Sequence, residues 1–188
     1  MPEHIDAGEL RDRLEVLDLE RDAEGNLAWS PKRRTWGKVT QGVLKNLFSS
    51  VGIGARDAAI VVRCQPLTLH NALRWNGTHL FLTSILPFGR NHLELHAAAV
   101  TVDTVRLRAD ESTQSVSFPG VLTEKYSGHE QEWPMSVNEL RLVLVVPKPV
   151  RLHPGTLVEV RGAAWEVLVP HELDEYKNEY EIGRTVDL

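Results

Sequence analysis

The sequence predicts an all-β protein made of two small tandem β-barrel or β-sandwich modules, with one short helix or extended loop inserted in the first. Three observations lead to this prediction. Short apolar segments are separated by frequent turn residues, with almost no helical spacing between them. Residues 59–100 have the pattern of a meander of short strands. Residues 140–169 then repeat the same order of features, which predicts a second unit of the same kind.

The first meander is organised around the Asn76-Gly77 turn. Asn-Gly between alternating apolar segments is the strongest short-range hairpin signal, because both residues tolerate the positive φ of a type I′ turn. We therefore expect residues 73–75 to pair with residues 78–85. Residues 92–100 should then run back beside them, with one face of the sheet buried.

The two candidate modules share a series of features in the same order: an apolar strand that meets a proline, a Leu-His pair, a turn, a short strand, a glycine and an aromatic strand. The distance from histidine to glycine differs by two residues between them. Two interpretations are open, a tandem repeat or two small β units with similar turn chemistry. The matching residues are Pro66, Leu69, His70, Gly77 and Phe81 in the first module and Pro147, Pro149, Leu152, His153, Gly162 and Trp165 in the second.

The rest of the chain completes a division into parts. Residues 14–19 form the first strand candidate, and the strand that returns beside it is broken at Ser30-Pro31, because proline in a strand requires an edge position or a bulge. The polar segment 101–115 separates the modules. The predicted parts are an N-terminal arm at 1–13, a first barrel at 14–103 with an inserted loop at 40–58, and a second barrel-like module at 116–188.

The insertion at residues 40–58 interrupts the strand pattern. Val43, Leu44, Leu47 and Phe48 recur at the spacing of one helical turn, and a small, glycine-containing stretch follows them. A long loop between strands often carries function, because the barrel does not need it for closure. The segment is therefore predicted to cap one barrel end as a short helix, to act as a functional loop, or both.

Composition limits the classes of function. The chain has 188 residues, 42% hydrophobic and 25% charged, as in ordinary globular proteins. Its N-terminus is polar and no segment approaches the roughly 18 apolar residues of a membrane span, so we expect neither a secretory signal nor membrane association. The net charge of −5 lies in residues 106–188, where nine Lys and Arg face fourteen Asp and Glu. Such a chain is a poor general nucleic-acid binder.

No combination of residues predicts catalysis, a cofactor or a metal site. Cys64 is the single cysteine, which excludes an internal disulfide, and its place after an apolar strand predicts a buried thiol. His92 and His96 would share a helical face, but in a strand they lie about 13 Å apart, so they are predicted to face solvent. The acidic run from Glu172 to Glu181 lacks the ligand spacing of a calcium loop and is predicted to be solvated.

One short segment combines basic and aromatic residues. Lys32, Arg33 and Arg34 are flanked by Trp29 and Trp36. Cations and aromatic rings bind nucleic acid through phosphate contacts and base stacking, so the three cations are candidate DNA contacts. In the alternative interpretation the tryptophans simply pack against the barrel.

A series of short motifs runs through residues 14–100: Arg21-Asp22, Gly25-Asn26, Trp29, Trp36-Gly37-Lys38-Val39, Ile60-Val61-Val62-Arg63, Leu73-Arg74-Trp75-Asn76-Gly77, Leu80-Phe81-Leu82-Thr83-Ser84-Ile85 and Leu93-Glu94-Leu95. This order resembles the head–tail joining proteins (head-closure, stopper or adaptor proteins) of tailed bacteriophages. The second module resembles extensions of some phage connector proteins.

The resemblance implies a non-catalytic virion protein that forms a homo-oligomeric ring, dodecameric in relatives, at the head–tail interface. Such a ring closes the DNA exit channel, provides the tail docking surface and is assembled in the host bacterial cytoplasm. The implied partners are the portal or adaptor ring, the tail terminator or tail tube protein, and packaged DNA passing through the channel. By location alone, the loop that obstructs the channel in such proteins matches residues 41–56, with Gln41, Leu44, Leu47, Phe48, Val51, Ile53 and Arg56 as candidate channel residues.

Two alternatives are kept. One is a structural component on the tail side, such as a tail terminator or baseplate hub. The other is a nucleic-acid-binding β-barrel protein that uses Lys32 to Arg34 and the tryptophans. An enzyme has no residue set in its favour.

Overall fold

A computed structural model describes residues 7–42, 56–68, 70–108, 115–124 and 142–185. These ranges contain one short 3₁₀ turn and twelve strands, which confirms the all-β prediction. Over the same ranges, no helix is long and apolar enough to cross a membrane. The strands are β1 Asp12–Arg21, β2 Leu27–Gln41, β3 Arg56–Arg63, β4 Asn71–Trp75, β5 Thr78–Phe88, β6 His92–Val100, β7 Asp103–Leu107, β8 Ser117–Glu124, β9 Leu142–Pro147, β10 Leu157–Val160, β11 Ala163–His171 and β12 Lys177–Arg184.

The strands form two closed antiparallel barrels of six strands each. The strand orders are β1-β2-β3-β6-β5-β4 and β10-β11-β12-β9-β8-β7. In each barrel two three-stranded meanders face one another. β4 returns to β1 and β6 to β3 in the first barrel, as β10 returns to β7 and β12 to β9 in the second. The two barrels therefore share one topology, and the prediction of two tandem β modules is confirmed.

The first strand of each barrel shows where each barrel begins in the sequence. β1 begins at Asp12, and β7, which begins at Asp103, already pairs within the second barrel. Residues 1–6, 43–55, 69, 125–141 and 186–188 of the predicted parts lie outside the described residues. The exact division of the chain into domains stays a proposal.

The hairpin predicted at Asn76-Gly77 is confirmed. Both residues have positive φ, 49° and 81°, and Trp75 pairs with Thr78 across them. The second barrel has the same two-residue turn between β10 and β11, where Arg161 and Gly162 have φ of 52° and 74°. Positive φ at both central positions matches the twist of the flanking strands, so both turns set the register of their hairpins.

A histidine stands in the corner before each of these hairpins. His70 precedes β4 and His153 precedes β10. The backbone N–H of each histidine donates to a threonine hydroxyl at 3.2 Å, Thr68 Oγ1 and Thr156 Oγ1 respectively. Leu69 lies outside the described residues. Hydroxyl groups of this kind stabilise tight corners by replacing backbone partners.

β2 differs from the expected broken strand, because it runs without interruption through Pro31. Val16 of β1 pairs with Arg33 and Leu17 pairs with Pro31, so Lys32 is an extra residue opposite this step. Such a bulge bends the strand and removes the need for a ladder hydrogen bond at the proline. The bulge accommodates Pro31, and β2 pairs there with β1 alone because its pairing with β3 begins only at Gly37, so this part of the strand is also an edge.

A glycine stands at the same place in the second strand of each barrel. Gly37 of β2 pairs with Asp12, the first residue of β1. Gly120 of β8 pairs with Asp103, the first residue of β7. Both glycines are buried. This shared position supports the tandem-repeat interpretation over similar turn chemistry alone.

The two glycines create room for equivalent core side chains. A Cβ at Gly37 would lie 2.7 Å from Cδ1 of Leu14, and a Cβ at Gly120 would lie 2.7 Å from Cγ2 of Val105. Leu14 and Val105 each follow the paired aspartate by two residues. The missing side chain lets the first strand of each barrel pack closely across the second.

Gly37→Ala is expected to lower the free energy of unfolding by about 1–3 kcal/mol, the usual cost of overpacking a core. The new Cβ would also lie 2.9 Å from the backbone oxygen of Val61, which cannot rotate away. Urea denaturation measures the change. Gly8→Ala is the matched control, because a Cβ there meets nothing within 4 Å. Equal stability of the two variants would contradict the packing argument.

Apolar side chains fill each barrel and also join the two. The turn between β1 and β2 reaches the second barrel, where Asn26 Oδ1 accepts from the backbone N–H of Ser117 at 2.8 Å and from its hydroxyl at 3.0 Å. Leu27 packs against the core of the second barrel. The cluster between the barrels comprises Phe81, Ala98, Val100, Val121, Val143 and Val145.

Candidate interaction surfaces

The three predicted DNA-contact residues make separate contacts. Lys32 Nζ lies 2.7 Å from Glu20 Oε1. The Arg33 guanidinium donates to Gln65 Oε1 at 3.3 Å and also to the carbonyl oxygen of Pro66. The structure therefore does not gather Lys32, Arg33 and Arg34 into one basic group, and their contact with DNA stays a prediction.

Arg34 belongs to a different group of side chains, which surrounds an exposed tryptophan. Trp36 is 58% exposed and lies beside a hollow of about 660 Å³ on the first barrel. Arg34 and Trp36 are two apart in β2 and so share its outer face. Arg63 ends β3 and Arg11 precedes β1. We call Arg11, Arg34, Trp36 and Arg63 the tryptophan surface; Leu10 and Thr35 complete the lining of the hollow.

The tryptophan surface is positively charged, because three guanidinium groups line the hollow and the lining contains no carboxylate. Arg34 has an acidic partner outside the hollow: Glu15 lies 3.6 Å from Arg34 and also 3.6 Å from Arg74, so one carboxylate is shared by two arginines. Sequence reasoning identified Arg34 and Trp36 but missed Arg11 and Arg63. Only strand pairing brings those two residues beside β2.

The candidate channel loop begins and ends at one side of the first barrel. Gln41 is the last residue of β2 and pairs with Ala58, and Arg56 is the first residue of β3. The backbone N–H of Gly42 donates to the carbonyl oxygen of Asp57 at 2.9 Å, which extends the ladder by one bond. The other candidate channel residues lie outside the described residues; they are Leu44, Leu47, Phe48, Val51 and Ile53.

A second exposed surface lies on the second barrel. Leu168 and Val169 of β11 are 39% and 41% exposed, and Leu173 in the following turn is fully exposed. A register shift between Val167 and Val169 makes Leu168 the extra residue of a bulge, which re-aims side chains at this point. We call Leu168, Val169 and Leu173 the leucine surface.

The segment that carries the leucine surface is rich in acidic residues. Residues 163–184 contain six Asp and Glu against two Lys and Arg. The prediction that this acidic run is a solvated loop is wrong for its second part: Glu179 and Glu181 lie in β12 and are buried. Glu175 is exposed in the turn between β11 and β12. The turn therefore presents both an apolar side chain and negative charge.

Buried ionic contacts hold that turn. Lys177 Nζ lies 2.6 Å from Asp174 Oδ2 and 3.2 Å from Glu179 Oε1, and the side chains of Lys177 and Glu179 are only 4% and 3% exposed. Burial by itself would raise the pKa of Asp174, but the hydrogen bonds from Lys177 and from the backbone N–H of Tyr176 outweigh it and lower the pKa. The ionised carboxylate is thus the favoured form.

Two further contacts fasten the same turn from the barrel side. Lys148 Nζ donates to the carbonyl oxygens of Glu172 and Asp174 at 2.6 and 2.5 Å. The hydroxyl of buried Tyr180 donates to Glu172 Oε1 at 2.7 Å, and burial together with this carboxylate raises the pKa of Tyr180. Leu173 is therefore exposed on an anchored turn.

The barrels also enclose a cleft of about 730 Å³ between them. His79 lines this cleft, and its ring centroid lies 5.5 Å from that of Trp29. His79 Nε2 is buried and has no hydrogen-bond partner among the described residues. Burial, and to a lesser extent the charge of Arg74, lowers the pKa of His79 to about 4.

The described residues include no group of three or more His, Cys, Asp or Glu side chains placed to hold a metal ion. His92 and His96 lie on β6, as the alternating pattern indicated, and His96 Nε2 is 3.7 Å from Glu94 Oε1. The prediction of a buried Cys64 thiol is wrong. Cys64 follows the end of β3 and is exposed, because the strand ends one residue before it.

No protein-family model matches this chain, and no curated protein does. A solved structure described as "Virion of native gene transfer agent (GTA) particle" is similar to part of it. The match covers 49% of this chain and 96% of that chain, with 21% sequence identity and a TM-score of 0.41.

Proposed function

We propose that this protein is a non-catalytic structural component of a tailed-phage-type virion, where it forms a ring at the head–tail interface. The ring closes the DNA exit channel and provides the surface on which the tail docks. Its partners are other copies of itself, the portal or adaptor ring, and the tail terminator or tail tube protein. Packaged DNA passes through the channel.

The observation that carries this proposal is the placement of the motif series that resembles head–tail joining proteins. Residues 14–100 contain β2 to β6 and all but the first two residues of β1, and these six strands make one closed barrel. The Gly25-Asn26 and Asn76-Gly77 motifs lie at its turns, and Gly37 supplies the close packing between β1 and β2. The motifs thus belong to one structural unit, as a shared fold would require.

The position of the insertion between β2 and β3 supports the proposal that the ring closes the DNA exit channel. Its two ends are paired side by side at Gln41 and Ala58, so the insertion starts and finishes at one place on the barrel. A loop of this kind adds reach without disturbing closure. We assign residues 41–56 to the channel of the ring.

The experiment that tests the function mixes the full chain with portal and adaptor proteins of a tailed phage and examines the products by light scattering and electron microscopy. Rings of this chain, alone or on the connector, are the expected result. A protein that stays monomeric in both conditions would overturn the proposal.

Virions that lack the protein separate the head side from the tail side. Leaking or tailless heads, together with intact free tails, are expected for a head-closure ring. Absence of assembled tails would instead support a tail terminator or baseplate hub. Salt-sensitive binding in a low-salt filter assay, without any ring, would support a nucleic-acid-binding barrel.

A further inference from the structure

We propose that the tryptophan surface of one copy binds the leucine surface of a second copy, so that copies join head to tail. This inference rests on the proposed ring function and names the surfaces that would build the ring. It concerns Arg11, Arg34, Trp36 and Arg63 on the first barrel and Leu168, Val169 and Leu173 on the second.

The exposed apolar side chains give the first reason. Among the described residues, Trp36 and Leu173 are the most exposed large hydrophobic side chains. Tryptophan and arginine are the residues that dominate binding energy in protein interfaces, usually within a pocket that excludes water. Trp36 stands beside a hollow, whereas Leu173 projects from a turn. A projecting apolar side chain can fill such a hollow.

Charge gives the second reason. The hollow is lined by three arginines, while the turn that carries Leu173 contains Glu172, Asp174 and Glu175, of which Glu175 is exposed and the other two are partly exposed. Over longer range, the net charge of −5 falls entirely within residues 106–188. The arginine-lined hollow of one copy is therefore attracted to the acidic second barrel of another, whereas two second barrels repel one another.

A second copy fits these surfaces better than nucleic acid does. Phosphate contact alone would use the arginines but would leave Leu168, Val169 and Leu173 exposed on the other barrel. Within one chain both surfaces remain exposed, so they do not cover one another. A neighbouring copy covers both surfaces at once, at its two ends.

The symmetry of this contact determines which assembly the copies form. An interface between two different surfaces leaves one of each unused at the ends of a chain of copies, and it is completed only when the copies close into a ring. The anchored turn matters here, because Lys148, Lys177 and Tyr180 hold Leu173 in place before binding. Preorganised contact residues lose less entropy on association.

The test uses two variants of the full chain, each altered on one surface. The first is Trp36→Ala with Arg63→Glu, and the second is Leu173→Glu. All three positions are exposed, so folding should be retained, and circular dichroism checks it. By native mass spectrometry each variant alone should be monomeric. An equimolar mixture should give a 1:1 complex of twice the monomer mass and nothing larger, because only one intact pair of surfaces is available.

The control is Leu86→Glu with Arg90→Glu, which alters an exposed apolar residue and an exposed cation elsewhere on the first barrel. This variant should assemble like the unaltered protein. If the unaltered protein forms rings and both surface variants still do, the inference is wrong and the proposed function stands. If the unaltered protein is monomeric alone and with connector proteins, the proposed function itself fails.

Two other outcomes would also overturn the inference. Homodimers of the Leu173→Glu variant would mean that the tryptophan surface pairs with itself. Loss of salt-sensitive DNA binding in the Trp36→Ala, Arg63→Glu variant, with rings intact, would make the tryptophan surface a nucleic-acid interface.

Discussion

Lys177→Met is expected to lower the free energy of unfolding by about 3–5 kcal/mol, the usual loss when one partner of a buried ion pair is removed. Lys177 contacts both Asp174 and Glu179, and only Asp174 has substantial access to water. The substitution leaves the buried Glu179 carboxylate without this cation. Urea denaturation monitored by tryptophan fluorescence measures the change.

The matched control for this prediction is Arg90→Met, which removes an exposed cation. A second variant, Lys177→Met with Glu179→Leu, removes both charges and should recover much of the lost stability, because a buried pair replaced by apolar groups is often near neutral. A Lys177→Met variant as stable as Arg90→Met would show that the pair contributes nothing.

The hydrogen bonds from Lys177 and from the backbone N–H of Tyr176 lower the pKa of Asp174 in the folded protein. The stabilisation that they give is therefore present above the unfolded pKa of Asp174. It is lost as pH falls through the lower folded pKa.

Stability is also expected to fall by about 3 kcal/mol between pH 6.5 and pH 4 because of His79. The unfolded chain binds a proton at His79 near its ordinary pKa of 6.5, whereas burial lowers the folded pKa to about 4. Between these values the unfolded state therefore binds more protons, and the free energy of unfolding decreases as pH falls. Below the folded pKa this loss levels off.

His79→Phe keeps an aromatic ring against Trp29 and removes the titrating group, so its urea midpoint should change less over this pH range. The exposed histidine variant His153→Gln should retain the full slope. Since Asp22 and Asp103 line the same cleft in every variant, the difference between the curves isolates His79. Parallel curves for His79→Phe and the unaltered protein would contradict the assignment.

The Lys177 and His79 predictions concern two different parts of the molecule, the turn that carries Leu173 and the cleft between the barrels. Lys177 contacts Asp174 in the turn that carries Leu173, so a loosened turn is expected to weaken assembly of the proposed ring even at temperatures where the second barrel stays folded. His79 lies in the cleft where the barrels meet, so acid should loosen their attachment first. Both effects are separable from the surface variants, which leave the interior unchanged.

Local chemistry made a large part of the fold predictable. Asn76-Gly77 specifies its own turn, because its positive φ angles depend on two residues alone. The alternation from His92 to His96 likewise specifies a strand, since a half-buried sheet repeats every two residues. The recurrence of a proline, a histidine corner and a glycine turn indicates two related modules from local features alone.

The exposed surfaces, the buried charges and the close packing at Gly37 depend on pairing between strands that are distant in the sequence. Arg63 joins Trp36 only because β3 pairs with β2, and Glu179 becomes buried only because β12 closes the second barrel. The role of Gly37 appears only when Leu14 packs across it. The amino-acid sequence by itself determined the β class, the turns and the tandem order, because each depends on neighbouring residues. Tertiary structure alone decided barrel closure, the two exposed surfaces and the buried charges, because each depends on residues that pairing brings together from distant parts of the chain.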